Sequence, residues 1–346
     1  FEQPPLASEV RRLAADRLTK SGERCGFLKL MLGTHVLNLG DRVEGGCISE
    51  PLLMTIVVEN TFSVVHWGKF PAPSKISEQL VGGIISVSAS GEALAVLKED
   101  GSLICWQNSG EEQSPAAVAP NDMSNIVSVC GNENAFAALQ IGGQVITWGD
   151  KADGGDHSSV DPPPTNIRAI YAAMYAFAAV NEDGKVFTWG RAQRGGDSSH
   201  VRDDLASDVV SIVGNRGAFA ALKIGGAVVA WGDPECGGNS DLVKGELCSG
   251  VTTLSSTGSA FAALKEDGSV ICWGDPECGG VKHIFRDDAP ATSKEADLSV
   301  GVLSITGGDD VFLAIKDGGQ VVAWGMAADG ADLDKAGVAE DLRNGV

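Results

Sequence analysis

The chain has 346 residues, 43% of them apolar, with a formal charge of -20 and 45 glycines. That length and apolar content can bury a sizeable core and exclude a disordered chain, and the glycine share, beside ordinary proline, marks tight turns. The acid excess makes nucleic acid a poor partner, because non-specific binding needs Lys and Arg to displace counterions, and suits solubility or the steering of a basic partner.

The opening "FEQPPLASEV" has neither an initiator Met nor a signal-peptide pattern, so the expectation is a chain that begins inside a longer product. In "LASEVRRLAADRLTKSG", Leu6, Val10 and Leu13 share one stripe and predict a helix of about thirteen residues. "FLKLMLGTHVL" then reads as strand, turn and strand, "LGDRVEGGCISE" as a polar loop, and "LLMTIVV" as a further strand. This order resembles the second part of a ubiquitin-like fold, with "FLKLMLGTHVLNLGDRV" similar to its central hairpin. The resemblance implies a first hairpin upstream of Phe1. "VVENTF" lacks the paired glycine tail of conjugation, so the segment, residues 1–58, is expected to dock and not to modify.

From residue 59 the chain repeats itself. "AFAALKEDGSVICWGDPECGG" at 260–280 follows "AFAALKIGGAVVAWGDPECGG" by 42 residues, and Trp67, Trp106, Trp148, Trp189, Trp231, Trp273 and Trp324 fall at intervals of 39, 42, 41, 42, 42 and 51. Twelve residues before a Trp stands Phe136, Phe177, Phe219, Phe261 or Phe312, and Leu94 once, opening a strand mostly within "AFAAL". Five before each of the last six stands Gly101, Gly143, Gly184, Gly226, Gly268 or Gly319, preceded by Asp or Gly, which predicts a two-residue hairpin with positive φ at both turn positions. A second strand runs into each Trp, and "IVSV", "VVSI" and "VLSI" supply a third, with room for a fourth in the links. The strands are apolar on both faces: Ile271 shares a side with Trp273, whereas Val270 and Cys272 point the other way. With no helical periodicity between repeats, neighbouring sheets must cover each other, and a short-strand period near ~42 predicts a β-propeller.

The repeat V-x-S-I-x-G-x-x-x-A-F-A-A-L-x-x-D-G-x-V-x-x-W-G-x-x-x-x-G-G resembles that of the regulator of chromosome condensation family over about 84–346. The resemblance implies an all-β fold, a seven-bladed propeller over 59–346 preceded by the small α+β segment. The glycine after the Trp is Gly68, Gly149, Gly190, Gly232, Gly274 and Gly325, with Gln107 the exception. The family's His in "G-x-x-H" is absent, its place falling within Asn134, Ala218 or Ala260. "TFSVVHWG" gives the first blade one strand into Trp67, so closure is expected from a reduced blade or from a chain continuing past Val346.

No chemistry stands out. His35, His66, His157, His200 and His283 occur in unrelated contexts without metal-ligand spacing, and "DKADGGD" lacks the alternate Asp ligands and closing Glu of a calcium loop, so it reads as a polar turn. The Gly-Gly pairs have no Lys-Ser/Thr or helix to make a phosphate loop. The eight cysteines form no CxxC pair and read as buried small hydrophobes or loose thiols, favouring a reducing intracellular compartment. No apolar run reaches bilayer-spanning length. Every Trp belongs to the repeat and reads as core, and the nucleotide-exchange activity of the family's founding member rests on loops that nothing here matches. No enzyme, cofactor or metal is expected. The expected role is a protein-interaction module or scaffold. Its alternatives are an accessory subunit of a larger, even membrane-bound, assembly, the substrate-recruiting part of a ubiquitin ligase, or an exchange factor for a small GTPase. The longest link, 281–297, carries Lys282, His283, Phe285 and Arg286 in an otherwise acidic body and is the candidate contact with a protein partner.

Overall fold

The computed structural model describes residues 27–32, 35–36, 54–59, 80, 82–91, 93–107, 120, 123–280 and 298–326. Near the start, β1 (Phe27–Leu32), β2 (His35–Val36) and β3 (Met54–Glu59) form one antiparallel sheet in the order β2-β1-β3. Met31 faces Val36, while β1 runs against β3 from the Phe27–Glu59 pair to the Leu32–Met54 pair. The helix expected from Leu6 onward lies outside the described residues.

Six further sheets follow, each of three antiparallel strands in sequence order. Blade I is β4 (Ile84–Ala89), β5 (Ala93–Lys98) and β6 (Leu103–Gln107); blade II is β7 (Ile126–Gly131), β8 (Ala135–Gln140) and β9 (Val145–Gly149). Blade III is β10 (Ile167–Ala173), β11 (Ala176–Asn181) and β12 (Val186–Gly190); blade IV is β13 (Val209–Gly214), β14 (Ala218–Lys223) and β15 (Val228–Gly232). Blade V is β16 (Val251–Ser256), β17 (Ala260–Lys265) and β18 (Val270–Gly274); blade VI is β19 (Val302–Gly307), β20 (Val311–Lys316) and β21 (Val321–Gly325). The first hairpins of all six border one opening, so the sheets stand around a common axis and the fold is a β-propeller. Trp67, expected to mark a seventh blade, lies outside the described residues.

Both faces of the middle strand are committed in blades II to V. In blade IV, Phe219, Ala221 and Trp231 pack on Ala176, Ala178 and Val180 of blade III. Ala218, Ala220 and Leu222 of the same blade pack on Phe261, Ala263 and Trp273 of blade V. Alanine on the facing strand lets one sheet approach another closely enough to bury the aromatic pair. That pair stacks in every blade from II to VI, with ring centroids 5.0 to 5.6 Å apart. Such pairs add about 1 kcal/mol each beyond the area they bury. As the alternation requires, Ile271 and Trp273 face blade IV, and Val270 and Cys272 face blade VI.

The second hairpins differ from the two-residue turns expected. Between Lys98 and Ser102, which bond through Lys98 N–H and Ser102 C=O, lie three residues, Glu99, Asp100 and Gly101, of which Gly101 alone has positive φ. The Ile-Gly-Gly turns of blades II and IV also have three, with both glycines at positive φ. The last glycine does more than turn the chain, because its carbonyl accepts the first amide of the next blade. Ile126 donates to Gly101, Ile167 to Gly143, Val209 to Gly184, Val251 to Gly226 and Val302 to Gly268. A Cβ on Gly226 would come within 2.5 Å of the Gly250 and Val251 nitrogens, so a side chain is excluded by the neighbouring blade as well as by φ.

No fourth strand is present in the described blades. Where it would lie, the link returns once to the outer strand: Val186 N–H bonds Leu205 C=O, Val228 N–H bonds Leu247 C=O, and Val270 N–H bonds Leu298 C=O. Leu80, Leu205, Leu247 and Leu298 all stand four residues before an inner strand and all are buried.

Candidate functional site

The propeller has two unlike ends. At the first, the loops between inner and middle strands are joined in series by backbone bonds. Gly91 N–H donates to Glu133 C=O, Glu133 to Met174, Met174 to Asn215, Arg216 to Gly258, and Gly258 to Asp309. They surround a mouth of about 580 Å³ whose rim includes Ser90, Glu133, Met174, Arg216 and Asp309. Arg216 of blade IV reaches across Gly258 of blade V to Asp309 Oδ1 of blade VI at 2.6 Å. A Cβ on Gly258 would lie 2.7 Å from the guanidinium carbon, so the glycine is what lets the arginine pass.

Beneath these loops the Gly-Gly links are pinned from the side. Asn132 Nδ2 donates to Asp153 C=O, Asn215 Nδ2 to Cys236 C=O, and Thr257 Oγ1 to Cys278 C=O, at 2.6, 2.7 and 2.9 Å. The Trp residues complete the clamp: Trp189, Trp231 and Trp273 donate Nε1–H to Gly154, Gly195 and Gly237 of the preceding link at about 3 Å.

The link "DKADGGD" is not the plain polar turn expected. Asp153 is 0% exposed. Its carboxylate accepts from Arg191 Nε at 2.5 Å and from Asn134 Nδ2 at 2.7 Å, and the Arg191 guanidinium lies 4.4 Å over the Tyr175 ring. The Asp153 bond, the largest cause, raises the Arg191 pKa above even its ordinary range. One seam on, the pair recurs with its signs exchanged: Arg194, in the place of Asp153, bonds Asp233, in the place of Arg191, at 2.7 Å. At the next two seams the place of Asp153 is taken by Cys236 and Cys278.

Among the described residues, burial disfavours the thiolate of Cys105, Cys130, Cys236 and Cys278. Burial pushes Cys105 up to about 12 and Cys130 to about 11, and burial with the Asp310 carboxylate 3.2 Å away takes Cys278 to about 12. Cys248 is exposed. His157 Nδ1 lies 3.0 Å from Thr147 Oγ1, and burial lowers its pKa. Among the described residues no three His, Cys, Asp or Glu side chains are grouped to hold a metal ion. Lys282, His283, Phe285 and Arg286 lie outside the described residues.

No family profile matches the chain, and no curated protein matches it. Solved structures do. The ectodomain of the receptor kinase CR4 from Physcomitrella patens aligns at 16% identity with a TM-score of 0.43, over 71% of this chain and 65% of that one. The chain therefore spans just under two thirds of that ectodomain. Prp20p from Saccharomyces cerevisiae, studied for its binding to Gsp1p and histones, aligns at 17% identity with a TM-score of 0.43, over 73% of each chain. Human WBSCR16 aligns at 20% identity with a TM-score of 0.39, over 68% of this chain and 72% of that one. Among the described residues no helix is long and apolar enough to cross a membrane.

The second end is built from the other hairpins. Each inner strand begins here with one extra residue, because the pairing slips between its first and third positions: Ile85, Val127, Arg168, Val210, Thr252 and Leu303. The residue before the strand is left-handed in every blade, as Gly83, Asn125, Asn166, Asp208, Gly250 and Gly301, and its carbonyl accepts an amide from the turn of the same blade. Sequence reading overlooked this place because glycine, asparagine and aspartate all fill it. Their common tolerance of positive φ is the signal that could have found it.

Proposed function

We propose that the protein is a non-catalytic binding module that presents its loops to a protein partner. The observation that carries this reading is the division of labour in the repeat. Strand residues such as Phe136, Phe177, Phe219, Phe261 and Phe312 are wholly buried between blades, so variation free of folding cost is confined to links and turns. The links differ sharply in sequence, and 281–297 is the longest of them. Within it Phe285 and Arg286, beside Lys282 and His283, offer an aromatic and cations of the kind enriched at interface hot spots. Nucleic acid is disfavoured as the partner by the -20 charge.

We further propose a seventh blade around Trp67. Leu313 and Ile315 of blade VI are 37% and 40% exposed, whereas Ala220 and Leu222, at the same places in blade IV, are buried against blade V. A sheet over Leu313 and Ile315 would restore the packing that every other described seam has.

The test of the binding reading is recovery of the full chain from its native source after cross-linking, with partners identified by mass spectrometry. A stoichiometric protein partner is expected. Phe285→Ala with Arg286→Ala should reduce its recovery at an unchanged melting temperature. Recovery of the chain alone would overturn the reading, and full retention by the double variant would remove 281–297 from it.

A further inference from the structure

The two ends handle charge in opposite ways. At the first end the arginines are matched to carboxylates, in the pairs Arg191–Asp153, Arg194–Asp233 and Arg216–Asp309. At the second end, three cations are turned to backbone carbonyls instead, and Lys185 lies 4.9 Å over the Phe187 ring. Arg168 donates to the Val209 and Val210 carbonyls at 2.8 and 2.9 Å, Lys223 Nζ to Asp204 C=O at 2.5 Å, and Lys265 Nζ to Glu246 C=O at 2.9 Å. Meanwhile the turns put Glu182, Asp183, Glu266, Asp267 and Asp317 in solvent there, with Asp208 at the foot of blade IV.

Apolar side chains are segregated the same way. No large apolar residue is exposed in the described loops between inner and middle strands, and the fully exposed Leu242 lies apart from both ends' hairpins, in the link between blades IV and V. Around the channel at the second end, four of the six extra residues, Ile85, Val127, Val210 and Leu303, are exposed, Leu303 by 61%. Outboard of them stand Ile141 and Ile224, 53% and 72% exposed at the tips of their turns. Packing within the fold does not ask for these two, since blades III and V fill the same turn position with Glu182 and Glu266. The turn tips thus alternate from blade II to blade V as isoleucine, glutamate, isoleucine, glutamate. Exposed apolar groups gathered at one end and rimmed by polar ones mark an interaction surface.

We infer that the second-hairpin end is the docking face, and that its occupant is a protein segment with an apolar centre and lysine or arginine flanks. This rests on the binding reading above and names the surface and the partner's chemistry. Leucine-like side chains would cover Ile85, Val127, Val210 and Leu303 at the channel mouth and reach Ile141 and Ile224, while flanking cations meet the carboxylates of blades III and V. A second copy of this chain is a poor occupant, because two such acidic rims would face each other.

The experiment titrates the full chain with three labelled synthetic peptides: a leucine core with lysine flanks, the same core with glutamate flanks, and a serine core with lysine flanks. Only the first should bind measurably. Ile141→Ser with Ile224→Ser, and separately Glu182→Gln with Glu266→Gln, should each weaken it about tenfold, which is about 1.4 kcal/mol. The glutamine variant should also flatten the salt dependence. Glu133→Gln with Glu235→Gln, at the opposite end, should leave binding within about twofold, and all variants should melt with the parent, since each side chain is at least partly solvent-facing. Equal binding of the glutamate-flanked peptide, or loss only in the opposite-end variant, would overturn the assignment. So would a dimer in sedimentation that Ile224→Ser dissolves, because the face would then cover itself. A native partner that is recovered but fully retained by the Ile141 and Ile224 variant would sink this inference while leaving the binding reading intact.

Discussion

Gly225 and Gly226 are neighbours in one turn and have opposite tolerances. Both have positive φ, but a Cβ on Gly225 meets nothing within 4 Å, whereas one on Gly226 strikes the backbone of blade V. Gly226→Ala should therefore cost about 3 kcal/mol, from left-handed strain and the displaced seam, while Gly225→Asn should cost about 1 kcal/mol or less. Chemical denaturation of the two variants checks this, and equal losses would show that the seam contact adds nothing. His157 carries a pH dependence whose sign follows from burial. Its folded pKa lies below the ordinary 6.5, so the unfolded chain takes up the proton first. The stability it permits is complete above that ordinary value and falls as pH drops through it. His157→Gln should flatten the stability curve between about pH 7 and 5, and an unaltered slope would assign the loss to other groups.

At the scale of the element, the links contribute through single leucines. Leu247 is 1% exposed, packs with Phe261 and Trp273, and receives the Val228 amide on its carbonyl. Leu247→Ala should cost about 3 kcal/mol, measurable as a shift of the unfolding midpoint, and an unchanged midpoint would mean that the outer strand stands without its link. The strands themselves were legible in the sequence because Trp, Phe and glycine recur at fixed distances, and each marks a place where two blades meet. Turn length was not legible: Asp-Gly and Gly-Gly fit a two-residue loop equally well, and it is the closing backbone bonds, such as Lys98–Ser102 and Gln140–Gln144, that fix three. The leucine of the links escaped notice because the varied segments around it hide its constant distance from the following strand. The buried role of Asp153 was equally hidden, since its partner Arg191 lies 38 residues away. The uneven ends were also invisible, because they depend on which of two hairpins each side chain occupies.

For the whole molecule, ring closure has a direct measurement. If a further sheet covers blade VI, Leu313→Asp with Ile315→Asp should destabilise the protein by several kcal/mol, because two carboxylates would be buried at an apolar seam. A melting temperature within a degree or two of the parent would mean that this face stays in water, and the ring would then end at blade VI. The exchanged charges at the seams bear on assembly in another way. Repeats so alike could pair with the wrong neighbour during folding, yet blade III carries arginine at both of its link positions, Arg191 and Arg194, between links that answer with Asp153 on one side and Asp233 on the other. Set beside another copy of itself, blade III would bring arginine against arginine. Blades II and IV joined without it would bring Asp153 against Asp233. The pattern gives blade III an address within an otherwise repetitive chain: it discriminates against skipping or duplicating that blade, and it makes the order of the blades a property of side-chain charge as well as of chain connectivity.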